Sequence, residues 1–81
     1  MDKKRLRWAC RRGMLELDSL LGPFFDKHFE ELNYEQRAAF ETLLTFQDPD
    51  LFAWFIGSNS PEEPELQAII KLIKSKVAAG V

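Results

Sequence analysis

The sequence predicts an all-α protein, a compact bundle of five short helices forming one domain over residues 1–81. Three observations predict it. Apolar residues recur at helical spacing along most of the chain, and strand-like alternation is absent. Glycine, proline, asparagine and aspartate fall where helices should begin and end. A chain of 81 residues fits one core and not two, and its 46% hydrophobic content is too high for a disordered segment. A chain of this size buries roughly 60–65% of its unfolded surface, so its core is small and its stability modest.

The first helix is expected over about Lys3 to Arg12, with Leu6, Cys10 and Trp8 as its apolar members. Arg11 and Arg12 would then lie in its last turn, where positive charge suits the helix dipole, and Gly13 just past its end. The second runs from about Met14 to Leu32, carrying Leu17, Leu20, Leu21, Phe24, Phe25, His28 or Phe29, and Leu32 on one face. Gly22-Pro23 interrupts it. The missing N–H and the ring clash predict a kink or break, and the unbroken periodicity favours a kink. Asn33 and Gln36 form a capping-box pattern for a third helix ending near Phe46, with Phe40, Leu43 and Leu44 inward. In "QDPDLFAWFIG", Asp48 suits the N-cap of a fourth, Pro49 its first position and Asp50 its first turn, with Gly57 as the stop. After "SNSPEEP", Leu66, Ile69, Ile70, Ile73 and Val77 draw an amphipathic stripe on a fifth helix from about Pro64 to Lys76. The tail "AAGV" is expected to fray.

Composition narrows the function. A single cysteine excludes an internal disulfide and any multi-cysteine zinc cluster. The longest apolar run, Leu51 to Ile56, is far shorter than the ~20 residues that cross a bilayer. No apolar leader follows the basic N-terminus, so the expectation is a cytoplasmic chain with no membrane insertion. The net charge of −2 hides an asymmetry. Residues 1–12 hold six basic groups against Asp2, a balance of +5, and the remainder has a balance of −7. A basic end suits an anionic partner, but the acidic body would repel phosphates and no recognition-helix pattern appears, so no nucleic-acid role is expected.

Catalytic signals are weak. His28, the only histidine, lies on or beside an apolar stripe and reads as a core or boundary residue. Cys10 lacks a nearby histidine, and its arginine neighbours lower its pKa only if it is exposed. Phosphate loop, dinucleotide fingerprint and metal-ligand spacing are all missing from the sequence. The chain is not expected to be an enzyme.

Two segments stand out. In "RRGMLELD" (residues 11–18), a straight helix would pair Arg12 with Glu16 for ~0.3–0.5 kcal/mol, less than the ~1 kcal/mol cost of an interior glycine. A corner is therefore preferred. Gly13 would let another backbone approach closely. Arg11 and Arg12 would offer guanidinium forks, Glu16 and Asp18 acceptors, and Trp8 an aromatic neighbour, making a polar docking edge. The same residues also fit a purely structural corner. In "DLFAWFIG", apolar side chains surround a short helix almost completely, which fits core filling or contact with a partner, with Trp54 as anchor.

With both segments in view, the chain resembles the small flavinylation, or succinate dehydrogenase, assembly factors of bacteria and mitochondria. Arg12, Gly13 and Glu16 match the family's Arg-Gly-x-x-Glu signature; Asp48, Asp50, Leu51 and Trp54 match its acidic–Leu–x–x–Trp segment. The two lie in order about 35 residues apart and together are far more specific than either alone. The resemblance implies a five-helix domain that binds the flavoprotein subunit of succinate dehydrogenase, and in bacteria also that of fumarate reductase. It implies promotion of covalent FAD attachment to a histidine of that subunit. FAD would be the client's cofactor, with none held stably by this domain. The partner-contacting residues would be Trp8, Arg11, Arg12, Gly13, Glu16, Asp18, Asp50 and Trp54. Bacterial members have also been described as antitoxins, so the competing expectation is a module that neutralises a small toxin through its apolar fourth helix.

Overall fold

In a computed structural model that describes residues 2–78, five helices and one 3-10 turn surround a single hydrophobic cluster. The helices are α1 (Lys3–Ala9), α2 (Leu15–His28), α3 (Tyr34–Leu43), α4 (Asp48–Phe55) and α5 (Pro64–Ala78); the 3-10 turn, Phe29–Glu31, extends α2. No strand occurs among the described residues. The expected frayed tail falls on 79–81, outside the described residues, apart from Ala78, which closes α5.

Helix α1 is shorter than expected. Asp2 caps it by accepting a hydrogen bond from the Arg5 N–H at 2.8 Å. It ends at Ala9, so Arg11 and Arg12 lie beyond it and not in its last turn. Leu6 and Cys10 face the core, whereas Trp8 is 70% exposed, against the expectation that it joins the apolar face. The reason is helical geometry: a residue two positions from both Leu6 and Cys10 points away from the face they share. The Arg7 guanidinium grips Asp26 of α2 through two bonds, 2.8 and 3.2 Å long, passing over Gly22. A Cβ at Gly22 would come within 3.3 Å of Arg7 Nη2, so this glycine permits the close approach of α1 to α2.

Helix α2 continues through Pro23 unbroken. An interior proline costs about 3 kcal/mol. Here Leu17 and Leu21 before it and Phe24, Phe25 and His28 after it all enter the same core, and that packing offsets the cost. The regular helix then gives way to the 3-10 turn earlier than the expected Leu32. Stacked and tilted rings of Phe24, Phe25, Phe29 and Phe40, with centroids 4.6 to 6.3 Å apart, join α2 to α3. His28 is buried beside Phe24, as a core histidine should be, with Nδ1 3.2 Å from Glu31.

The capping box at Asn33 is present in both directions, with Asn33 Oδ1 accepting from Gln36 N and Gln36 Oε1 accepting from Asn33 N. Helix α3 stops at Leu43 rather than near Phe46. The N-cap of α4 is Gln47, with Asp48 as the first helical residue, one position earlier than expected. Asp48 does not cap the helix because its carboxylate is taken by Arg12. Gly57 ends α4 as expected, its N–H donating to the Phe52 carbonyl at 3.0 Å. A Cβ there would lie 2.8 Å from the Ala53 carbonyl oxygen, so a larger residue would force the turn open. Leu66, Ile69, Ile70 and Ile73 of α5 pack into the core against α2, α3 and α4.

Cys10 shows the core's effect on chemistry. Its thiol is 1% exposed and donates to the Leu6 carbonyl at 3.4 Å. Burial pushes its pKa up to about 11, overriding Arg7 and Arg12, which lower it. Native protein should therefore react with iodoacetamide far more slowly than urea-unfolded protein, measured by mass shift at pH 8. Below the ordinary thiol pKa of about 9, both states carry the proton. Between about 9 and 11 only the unfolded thiol ionises. This group's contribution to stability should thus fall across that window by about 1.4 kcal/mol per pH unit.

Candidate functional site

The two ends of the "RRG" run behave differently. After α1, the chain makes a corner at Gly13, whose φ of +81° lies in the left-handed region that other residues rarely adopt. Nothing lies within 4 Å of where its Cβ would sit, so the space over the corner is open. The corner is held from inside by Asp18, whose Oδ1 accepts the Arg12 N–H at 2.6 Å.

Arg12 does not present a free fork. Its guanidinium bonds inward: Nε to Asp48 Oδ1 at 2.8 Å, Nη1 to the carbonyls of Leu44 at 2.9 Å and Ala9 at 3.1 Å, and Nη2 to the Phe46 carbonyl at 2.5 Å. Its side chain is only 14% exposed. The unpaired carbonyls at the ends of α1 and α3 thus receive donors from a side chain instead of from water. The sequence expectation of an outward fork is corrected on this point, because three carbonyls and a carboxylate converge where the guanidinium is planted.

What remains outward is a mixed surface. Glu16 is exposed, as are Arg11 and Gly13, and Arg11 sits over the Trp8 ring at 5.4 Å. Asp50 is exposed in the first turn of α4. Trp54 is half-buried and meets Phe46 edge-on at 5.1 Å, so it anchors the α3–α4 connector and offers only part of its ring. Of the expected contact residues, the structure gathers Trp8, Arg11, Arg12, Gly13, Glu16 and Asp18 at the α1–α2 connector and brings Asp48 against them. Asp50 lies two positions beyond Asp48 in α4.

Sequence reasoning missed three residues here. Leu15, at the start of α2, is 76% exposed. Its signal was available, since it lies off the stripe of Leu17, Leu21 and Phe24. Gln47 and Pro49 join Arg11, Arg12 and Asp48 around an open depression. No local pattern marks that pairing, which forms only when residues 36 positions apart meet.

The alternatives can be placed as well. Leu51 and Phe55 of α4 are buried, and Phe52 and Trp54 half-buried, so most of that helix's apolar surface is spent on the core. In the basic N-terminal segment, Lys3 pairs with Glu30, Arg7 with Asp26 and Arg12 with Asp48, which neutralises much of the +5 balance locally. The Lys3 contact also holds Glu30 below the usual carboxylate range. No group of three or more His, Cys, Asp or Glu residues among the described residues is placed to hold a metal ion. No described helix is long and apolar enough to cross a membrane.

Fold and site together define a class: a small five-helix domain built around one internally bonded corner between its first two helices. More narrowly, residues 4–77 match the family model described as flavinator of succinate dehydrogenase, and the chain belongs to that family. Its relatives include the FAD assembly factor SdhE of Idiomarina loihiensis, 57% identical over 76 residues that cover 94% of this chain and 84% of that protein. That of Shewanella oneidensis is 45% identical over 78 residues, covering 96% and 95%. Among solved structures, the solution structure of a UPF0350 protein is 43% identical with a TM-score of 0.79, covering 98% of this chain and 84% of that one.

Proposed function

We infer that this protein binds the flavoprotein subunit of succinate dehydrogenase and promotes covalent attachment of its FAD, and that it contributes no reacting group to the bond. Family membership supports the flavinylation role, and the observation that carries the binding mode is the open corner at Gly13 with the exposed Glu16 carboxylate beside it. Attachment requires a client histidine and the flavin ring at attack distance and in good orientation. A partner that binds the competent client conformation more tightly than the others raises its population by that difference in affinity. A rigid helical domain can do this with surface alone. Fumarate reductase's flavoprotein subunit is a second client under the same reading.

The test is coexpression of the flavoprotein subunit with and without this protein in cells lacking an endogenous assembly factor, followed by in-gel flavin fluorescence. Covalent flavin should rise with the wild-type chain and much less with Glu16→Ala. Equal fluorescence with and without the chain would refute the role. In a parallel titration, free FAD should show no stoichiometric binding to the isolated domain; tight binding would replace docking with cofactor delivery. Capture of a small membrane toxin in place of a flavoprotein would favour neutralisation.

A further inference from the structure

The geometry points to a composite docking surface in which the α1–α2 connector (residues 10–14) and the α3–α4 connector (residues 44–47) act as one unit, with Arg12 as its positioning residue and Gln47 and Pro49 as its unrecognised second half. The occupant is the flavoprotein client, so the proposal rests on the function inferred above.

Three observations carry it. First, a single guanidinium, carried by the α1–α2 connector, takes acceptors from the end of α1 (Ala9) and, across the gap, from the α3–α4 connector and the start of α4 (Leu44, Phe46 and Asp48). Burying a charge this way is not the cheapest means of joining two loops, because a well-packed apolar contact of similar volume is often as stable. What the planar fork adds is orientation, since its bonds fix the angle between the connectors as well as their separation. Second, both connectors border the same open depression, whose rim includes Arg11 from one and Gln47 and Pro49 from the other side. Gln47 stands at the N-cap of α4 without making a side-chain capping bond, and it is exposed. Third, Gly13, with open space around the place its Cβ would take, directly follows Arg11 and Arg12, which line the depression, so a client segment on the corner is one residue from that rim. The exposed charges on the two sides, Arg11 with Glu16 on one and Asp50 on the other, fit a client loop that carries both acceptors and donors.

Arg12 then matters to the client without touching it. It holds Gln47 and Pro49 in register with Gly13 and Glu16, and the client reads the result. A direct contact role for Arg12 and a positioning role make different demands on the free protein, where only positioning disturbs the second connector.

Two measurements test this with the full chain. Client affinity is read by titrating labelled protein with purified flavoprotein subunit, and backbone amide hydrogen exchange is read on the protein alone. Gln47→Arg, at an exposed position, should fold normally and weaken client binding by about tenfold, as expected for a residue at an interface centre. Arg12→Lys keeps the charge opposite Asp48 but loses the fork. It should speed exchange at 44–47 in the absence of client and weaken binding by about fivefold or more. Glu16→Gln should weaken binding while leaving that exchange unchanged. Client affinity within about twofold of wild type for Gln47→Arg would overturn the composite surface. Unchanged exchange in Arg12→Lys, with binding lost, would make Arg12 a direct contact and overturn the positioning role. If the wild-type chain itself does not bind the client, the functional reading fails, while the exchange result still decides whether Arg12 couples the connectors.

Discussion

Replacing Gly13 by arginine is expected to leave the domain folded and to cut covalent flavin on the client by at least about tenfold. The backbone there has φ +81°, so any other residue pays about 1–2 kcal/mol for the left-handed conformation. No neighbour lies within 4 Å of the position a Cβ would take, so no steric term is added. A domain of this size has a stability on the order of 5–10 kcal/mol and survives the change, with its melting temperature falling by roughly 4–16 °C. The functional loss has a different origin. Under the proposed docking, a long cationic side chain over the corner fills the space that a client backbone would enter. Gly13→Ala separates the two effects, because it carries nearly the same backbone strain with almost none of the bulk. Circular dichroism melts should therefore place the two variants close together, while in-gel fluorescence should set them apart. Normal flavinylation by folded Gly13→Arg would show that the client docks elsewhere.

Much of this architecture is legible in the residues, and the failures share a cause. The capping box at Asn33, the apolar stripe of α5 and the stop at Gly57 are local patterns, decided by residues within one or two turns, and each appears where expected. The ends of α1, α3 and the start of α4 all shift, and all three lie against Arg12. Locally, Asp48 is the better N-cap. Its carboxylate is instead committed to a guanidinium 36 positions away, and Gln47 is left at the cap. A tertiary bond thus overrides a local preference at each boundary that it touches. The corner at Gly13 was legible because glycine's conformational freedom is a one-residue property. The direction of Arg12 was not, because three of its four acceptors come from a stretch of chain more than 30 positions away. At Pro23 the unbroken apolar periodicity, which favours continuity over a break, is the better guide: both halves of α2 contribute to one core and the helix continues.

The same bond network makes Arg12→Ala the most destabilising single change expected at the site, by about 2–4 kcal/mol. Removing the guanidinium strands the Asp48 carboxylate, whose side chain is 28% exposed, and leaves the carbonyls of Leu44, Ala9 and Phe46 without their charged donor. Partial access for water keeps the figure below that of a fully buried charge pair. Arg7 provides the comparison within the same molecule. It also makes a two-bond contact with an aspartate, but its side chain is 40% exposed and Asp26's is 57%. Such a pair contributes about 0–1 kcal/mol, plus a little for lost packing of the arginine stem over Gly22. Urea unfolding should therefore give a clearly lower midpoint for Arg12→Ala than for Arg7→Ala, with the slope unchanged if both unfold in two states. Arg12→Lys should fall between them, since an ammonium still faces Asp48 but reaches fewer carbonyls. Equal midpoints for Arg12→Ala and Arg7→Ala would mean that the inward bonds add no more than a surface ion pair, and the two connectors would have to be held together by Phe46, Trp54 and the core beneath them.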